Sequence, residues 1–330
     1  MLNKRIVIER AGGVEVLKLI EEPIPQPKAN EVLIQVRASG VAFGDILFRQ
    51  GISPATYPMT PGYDIAGEVE AIGSAVTKFK TGDTVAGFSG TGGYTTYICL
   101  PENQLTTVPD GLNPEETVSV VLNYTAAYQL LTKAAGLKSG NSILIHGAAG
   151  GVGTAVLQLA KILGIKAYGT VSTSKIALVE KEGGIPIDYT KTDFVEQIRL
   201  LTEKGVDAVL DPIGGNHLFQ SYKALNKKGR LVVFGVSSAV KGEGNPKIRL
   251  IKAMLPFLLL KLTPDSKSVV ISTISTKTKG LQEDMAKMVN LLNEGKIKPI
   301  IAKAFPLAQA AEAQLFLEQT KPVGKIILQP

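Results

Sequence analysis

The feature that most constrains this chain is the stretch "ILIHGAAGGVG" at residues 143–153, where a short apolar run empties into a turn of glycines and alanines. Its spacing is nearly that of G-x-G-x-x-G, with Ala148 in the first glycine position and Gly150 and Gly153 in the other two. Spacing alone is weak evidence; the surroundings strengthen it. Val156, Leu159, Ala160 and Leu163 recur at i, i+3, i+4 and i+7, so the turn opens a helix with one apolar face. Such a turn leaves unpaired helix N–H groups, and Gly150 and Gly151 place no Cβ in the way of an anion. The expected guest is the diphosphate of a dinucleotide, with Gly153 permitting close strand–helix packing.

The neighbouring sequence repeats the same strand–turn–helix unit. From 123 to 265, "SILIH", "KAYGTV", "DAVLD" and "RLVVFGV" alternate with helical stretches, the pattern of right-handed crossovers in a doubly wound parallel sheet. Residues 1–122 alternate apolar and polar positions in short runs broken by Gly and Pro, as in "EVLIQVRASGV" and "AGEVEAIG", and read as a mainly β domain. The last segment, 266–330, carries helices near 280–294 and 307–319 and a strand "GKIIL" expected to rejoin the first sheet. The fold class expected is α/β, a Rossmann sheet at 123–265 beside a β domain formed by 1–122 and 266–330.

A chain of 330 residues with 45% hydrophobic content can bury a substantial core. One cysteine, Cys99, leaves nothing for a disulfide framework or a cysteine zinc site, and "MLNKRIVIER" lacks the form of a secretory signal, so the expected compartment is cytoplasmic. Thirty-six basic against 29 acidic residues give +7, which favours anionic partners. The lysines are scattered and no zinc-finger or basic-region pattern accompanies them, which argues against nucleic acid. The run "LIKAMLPFLLLKL" at 250–262 contains Lys252, Pro256 and Lys261 and is shorter than the roughly 20 residues a membrane span needs. It is expected to pack on the protein or a second subunit; membrane association is weighed but not predicted.

The choice of dinucleotide should show at the next strand end, where NAD-binding proteins place an acid on the ribose hydroxyls. Here the sequence is "GTVSTSK", with Ser172, Thr173, Ser174 and Lys175 and no acid. Hydroxyls and a cation suit a 2′-phosphate, so the cofactor expected is NADP(H).

Several segments together, "GVAFGDILFRQG", "TPGYDIAGEVEAIGSAV", "NYTAAYQLL", "HGAAGGVGTAVLQLAK", "DAVLDPIGG", "GRLVVFGVSS" and "PVGKIIL", resemble the zinc-independent quinone oxidoreductases of the medium-chain dehydrogenase/reductase superfamily. The resemblance covers essentially the whole chain and is strongest to the branch containing the vesicle amine transport protein. It implies a GroES-like domain completed by the C-terminal segment, NADPH as cofactor, and a homodimer. Carried over by position, it implies that Ala149, Gly150, Gly151 and Val152 meet the diphosphate and that Ser172 and Tyr189 meet the 2′-phosphate. Ile213, Gly214, Phe234, Gly235 and Val236 would line the ribose and nicotinamide. The family's 2′-phosphate lysine falls at Ile176; Lys175 stands one place early, about 100° round a helix, and can substitute only if the helix begins late.

Zinc alcohol dehydrogenases of the superfamily take metal ligands from a Cys in "GVCHTD" and a His-Glu pair in "GHE"; the matching places here are Ala42, Tyr63 and Asp64. His146 and His217 have no sequence partner at metal-ligand spacing, so no metal is expected. Without a Lewis acid the expected chemistry is hydride transfer to a quinone or α,β-enone, whose oxygen needs only hydrogen-bond donors. Candidate donors are Tyr63, Tyr57, Asn123 and Asp45, with Asp45 equally suited to capping the helix around "DILFRQ". Many relatives carry Asn at Ala42 and Thr at Ala126; both are lost here. Enoyl-thioester reduction and an NADPH-binding interaction or membrane-associated role with little turnover are the alternatives.

Overall fold

The computed structural model describes residues 1–240 and 244–330. The chain forms two compact units, Met1–Thr125 with Ile274–Pro330, and Ala126–Thr273. In the first, β1 (Leu2–Ile8) and β2 (Leu17–Pro23) make an antiparallel pair, followed by β3 (Glu31–Val41), β4 (Asp64–Ile72), β5 (Thr84–Phe88), β6 (Tyr97–Pro101) and β7 (Leu105–Thr107). Alternation along β3 to β5 sends Val32, Ile34, Val36, Ile65, Val69 and Val85 into one cluster. Towards the other cluster Ala38 pairs with Ala66 and Ala66 with Ala86, three small side chains abreast. That shallow patch receives Val118, Val121 and Leu122. These residues belong to a helix starting at Pro114, capped by the Asn113 carboxamide on the Glu115 and Glu116 N–H groups, which passes into a π-helical turn at Val120–Tyr124. Asn123 is buried in that turn.

The second unit holds β8 (Ser142–His146), β9 (Lys166–Val171), β10 (Ile185–Asp188), β11 (Val206–Asp211), β12 (Leu225–Val233) and β13 (Ser268–Ile271). All pair in parallel in the order β10-β9-β8-β11-β12-β13, so the direction of winding reverses between β8 and β11. This is the doubly wound Rossmann order. Leu144, Tyr168, Val209, Leu231 and Val269 on successive strands pack with Leu218 and Phe257 in one core. Because β13 adds to β12, this unit runs on to Thr273, beyond the boundary expected at 265, and it starts at Ala126 rather than at 123.

The apolar run lies in a helix, Pro246–Lys261, whose Ala253, Pro256, Phe257 and Leu260 are buried. Ile248, Ile251, Leu255, Leu258 and Leu259 remain about half exposed. No helix among the described residues is long and apolar enough to cross a membrane.

The last segment returns to the first sheet through β14 (Ile301–Pro306) and β15 (Lys325–Gln329), with β15 antiparallel to β3. Its helix Ala310–Thr320 brings Glu318 to Arg49, which is almost fully buried, at 2.6 Å. Removing Glu318 would strand an interior guanidinium at a cost of about 3–5 kcal/mol.

Candidate functional site

The Rossmann unit gathers its candidate residues at the carboxyl ends of the strands, around the reversal between β8 and β11. Gly147, at φ +69°, makes the left-handed turn out of β8. Ala148 is thereby freed from that task and is fully buried; its Cβ would lie 2.5 Å from any Cβ added at Gly169. Gly150 is the N-cap of the helix Gly151–Leu163 and offers no side chain, so the N–H groups of Gly151, Val152 and Gly153 have no intrahelical acceptor. At Gly153 a Cβ would sit 2.3 Å from the Gly147 carbonyl oxygen and 2.7 Å from Ala148 Cα, so only glycine lets the helix close on the turn.

After β9 the chain makes a 3-10 turn at Thr173–Lys175, and the helix begins at Ile176. Lys175 is the N-cap residue, at φ −117° and ψ 8°, so the late start that its substitution for the family lysine requires is present. The turn is fastened to the end of β10. Thr173 Oγ1 donates to Asp188 Oδ2 at 2.5 Å, and Thr190 donates its N–H and hydroxyl to Asp188 Oδ1 at 3.0 and 2.6 Å. These hydroxyl donors hold the Asp188 carboxyl below its ordinary range. Tyr189, next in line, is half exposed. Nothing in the sequence had singled out Asp188, since the contact with Thr173 joins two different strand ends.

On the other side of the reversal, Asp211 ends β11, and its Oδ1 accepts the N–H groups of Ile213 at 2.7 Å and Gly214 at 3.0 Å. Phe234 N–H donates to the Asp211 carbonyl, Ser237 to that of Pro212 and Ser238 to that of Ile213. A Cβ at Gly235 would meet the Pro212 oxygen at 2.7 Å. The loops after β11 and β12 are therefore laced into one strip containing Ile213, Gly214, Phe234, Gly235 and Val236.

Behind this strip lies a polar cluster. His146 Nδ1 is 3.0 Å from Thr170 Oγ1, and His146 Nε2 is 3.1 Å from Ser221 Oγ. Ser221 donates to Asp211 Oδ2 at 2.6 Å, and His217 Nδ1 is 2.8 Å from the same oxygen. Burial pushes His146 down to about 3. The His217 and Ser221 hydrogen bonds and the two rings outweigh burial at Asp211 and bring it to about 2. Although neither histidine has a ligand partner at sequence spacing, the reversal of strand order puts β8 beside β11, and ligand atoms of His146, Asp211 and His217 lie within 4.8 Å of one another.

In the first unit the candidate donors divide. The Tyr57 hydroxyl donates to the Phe48 carbonyl at 2.5 Å, a local structural bond. Asp45 is fully buried as the third residue of the helix Phe43–Arg49; its oxygens accept the N–H groups of Ala42 and Gly62, both at 2.8 Å, and the Tyr94 hydroxyl at 3.1 Å. Burial lifts Asp45 to about 6 against the pull of those N–H groups. It reaches back from inside the helix rather than standing at the N-cap, and it fixes the loop that carries Tyr63. The Tyr63 ring stacks on Phe48 at 5.7 Å and lies 6.0 Å from Phe88, with its hydroxyl over Gly44, where a Cβ would come within 2.4 Å. Burial, and then the Asp45 charge, raise its pKa far above the ordinary tyrosine value, so it stays a protonated donor. Among the described residues neither the Tyr63 hydroxyl nor the Asn123 carboxamide has a hydrogen-bond partner, and Leu122, beside Asn123, packs in the cluster against which Tyr63 lies.

Residues 28–110 match the alcohol dehydrogenase GroES-like domain, and residues 185–328 match the zinc-binding dehydrogenase domain. The human synaptic vesicle membrane protein VAT-1 homologue is 32% identical over 100% of this chain and 87% of its own. Human quinone oxidoreductase is 30% identical over 99% of this chain and 98% of its own. Escherichia coli quinone oxidoreductase complexed with NADPH has a TM-score of 0.87 at 30% identity, covering 99% of this chain and 100% of that one. The chain belongs to the zinc-independent quinone oxidoreductase-like family of medium-chain dehydrogenases/reductases, in its VAT-1 branch. In this quinone oxidoreductase-like chain the positions of the superfamily's catalytic zinc ligands do not fit a metal. Ala42 has no donor atom, Tyr63 is packed between aromatic rings, and the buried Asp64 carboxylate is paired with Lys325 Nζ at 2.8 Å.

Proposed function

We propose that the protein is an NADPH-dependent reductase that delivers hydride to a quinone or α,β-unsaturated carbonyl without a catalytic metal. The observation that carries the cofactor half is the end of β9, where Ser172 and the N-cap Lys175 stand in place of an acid, with Tyr189 at the neighbouring strand end. The bound dihydronicotinamide supplies the hydride. The N–H groups of Gly151, Val152 and Gly153 hold the diphosphate, and the strip from Ile213, Gly214, Phe234, Gly235 and Val236 orients the ring. At the substrate, charge develops on the carbonyl oxygen as the electrophilic carbon accepts hydride. Tyr63 and Asn123 are the proposed donors to that oxygen, because each is a largely buried polar group whose side chain has no hydrogen-bond partner among the described residues. Asp45 and Tyr57 support the loops behind them.

NADPH oxidation against a panel of quinones, enones and enoyl thioesters tests the reading. Turnover with quinones or enones is expected; a strong preference for CoA thioesters would move the assignment to enoyl-thioester reduction. Tight NADPH binding with no turnover on any of them would overturn it in favour of a binding role, which the half-exposed apolar residues of the helix Pro246–Lys261 would then serve. The same reading carries the family's homodimer and, from the lone free Cys99, a reducing cytoplasmic setting.

A further inference from the structure

The chain contains only two histidines, far apart in sequence, and the fold brings them together with ring centroids 4.4 Å apart beside one carboxylate. Ser221 Oγ marks the point all three groups face, 3.1 Å from His146 Nε2, 2.6 Å from Asp211 Oδ2 and 3.3 Å from His217 Nδ1. Ligands held about 2.1 Å from a tetrahedral zinc ion stand roughly 3.4 Å from one another. The His217–Asp211 pair, at 2.8 Å, needs only to open slightly, and since all three ligand atoms lie within 4.8 Å of one another no pair has far to close around an ion. We propose that His146, Asp211 and His217 bind one divalent transition-metal ion of the Zn²⁺ type, with Ser221 or a water in the fourth position.

The surroundings are those a metal site requires. The other oxygen of Asp211 is fixed by the Ile213 and Gly214 N–H groups, which aims Oδ2 at the cluster. Without metal, Ser221 spends its hydrogen on Asp211 and must accept at Oγ, so His146 carries its proton on Nε2 and accepts at Nδ1 from the Thr170 hydroxyl. For metal binding the proton moves to Nδ1 and is donated to the same Thr170 oxygen, since a hydroxyl serves as donor or acceptor. Access is from the His217 side, where the side chain is 26% exposed while that of Asp211 is 0%. Two imidazoles and a carboxylate prefer late first-row ions to Mg²⁺ or Ca²⁺, which favour all-oxygen shells.

The test uses the full-length, tag-free, metal-stripped protein. Zn²⁺ titrated against a chromophoric chelator is expected to bind saturably at one ion per chain. Cu²⁺ loaded into the same protein should give an electron paramagnetic resonance spectrum with couplings from two imidazole nitrogens, which within one chain only His146 and His217 can supply. His217→Gln keeps a polar side chain beside Asp211 and should weaken Zn²⁺ by about 100-fold or more, at or beyond the loss seen when a ligand's supporting partner is altered, and should remove one nitrogen coupling. Absence of saturable one-to-one binding, unchanged Zn²⁺ affinity in His217→Gln, or a copper spectrum without two imidazoles would each overturn the proposal. If the variant fails to fold, the copper spectrum of the unaltered chain decides.

Discussion

Replacing Gly153 by alanine sets two effects of opposite sign against each other. A glycine inside a helix costs about 0.5–1 kcal/mol relative to alanine, so propensity alone would make Gly153→Ala stabilising. The new Cβ, however, would lie 2.3 Å from the Gly147 carbonyl oxygen and 2.7 Å from Ala148 Cα, and real Cβ contacts essentially never fall under 3.0 Å. The turn and the helix must part by at least about 0.7 Å, and both colliding groups are backbone. Overpacking of this kind costs about 1–3 kcal/mol or more, which outweighs the propensity gain. A net loss of about 1–2 kcal/mol corresponds to a fall in Tm of roughly 2–8 °C for a unit of this size. The parting also displaces the Gly151, Val152 and Gly153 amides from the diphosphate, and NADPH affinity, read by the change in cofactor fluorescence, should drop about 10-fold or more. Gly150→Ala is the contrast: its Cβ would be 3.4 Å from the Gly147 oxygen, an ordinary contact, so it should keep Tm while losing NADPH affinity through obstruction of the phosphate. A Gly153→Ala protein with unchanged Tm and unchanged NADPH affinity would refute the reasoning.

Tyr63→Phe should lower turnover about 10- to 100-fold with NADPH affinity nearly unchanged, and Asn123→Ala should behave alike with a non-additive double variant; intact turnover in Tyr63→Phe would assign the proton to water. Ser172→Asp should weaken NADPH by like-charge repulsion and shift preference towards NADH, and equal affinities before and after the change would remove the 2′-phosphate assignment. Asp45, lifted to about 6 in the fold from 3.8, binds more proton in the native than in the unfolded state between those values. Stability should therefore fall by about 3 kcal/mol as pH rises from about 4 to about 6 and then level off, a slope that urea unfolding should find in the native sequence and not in Asp45→Asn.

The glycine turn, the strand–helix alternation and the missing acid after β9 were legible because each is local: they follow from backbone conformation and side-chain period within a few residues. The same locality let the sequence place Ser172 and Tyr63 as candidates, since each sits inside a motif. The rest depends on neighbours that only the folded chain brings into contact. Tyr57 and Asp45 carry donor and acceptor chemistry on paper, but Phe48, Gly62 and Tyr94 had already occupied them. The left-handed turn sits at Gly147 and not at the motif's first position, because Ala148 must pack on Gly169 of the adjacent strand. The pairing of His146 with Asp211 and His217 required the strand order to reverse between β8 and β11, a choice made by burial of both sheet faces and invisible to any spacing rule. Short-range geometry is written in the order of residues; the meeting of polar groups at strand ends is decided only when the sheet is assembled and each buried donor must find an acceptor.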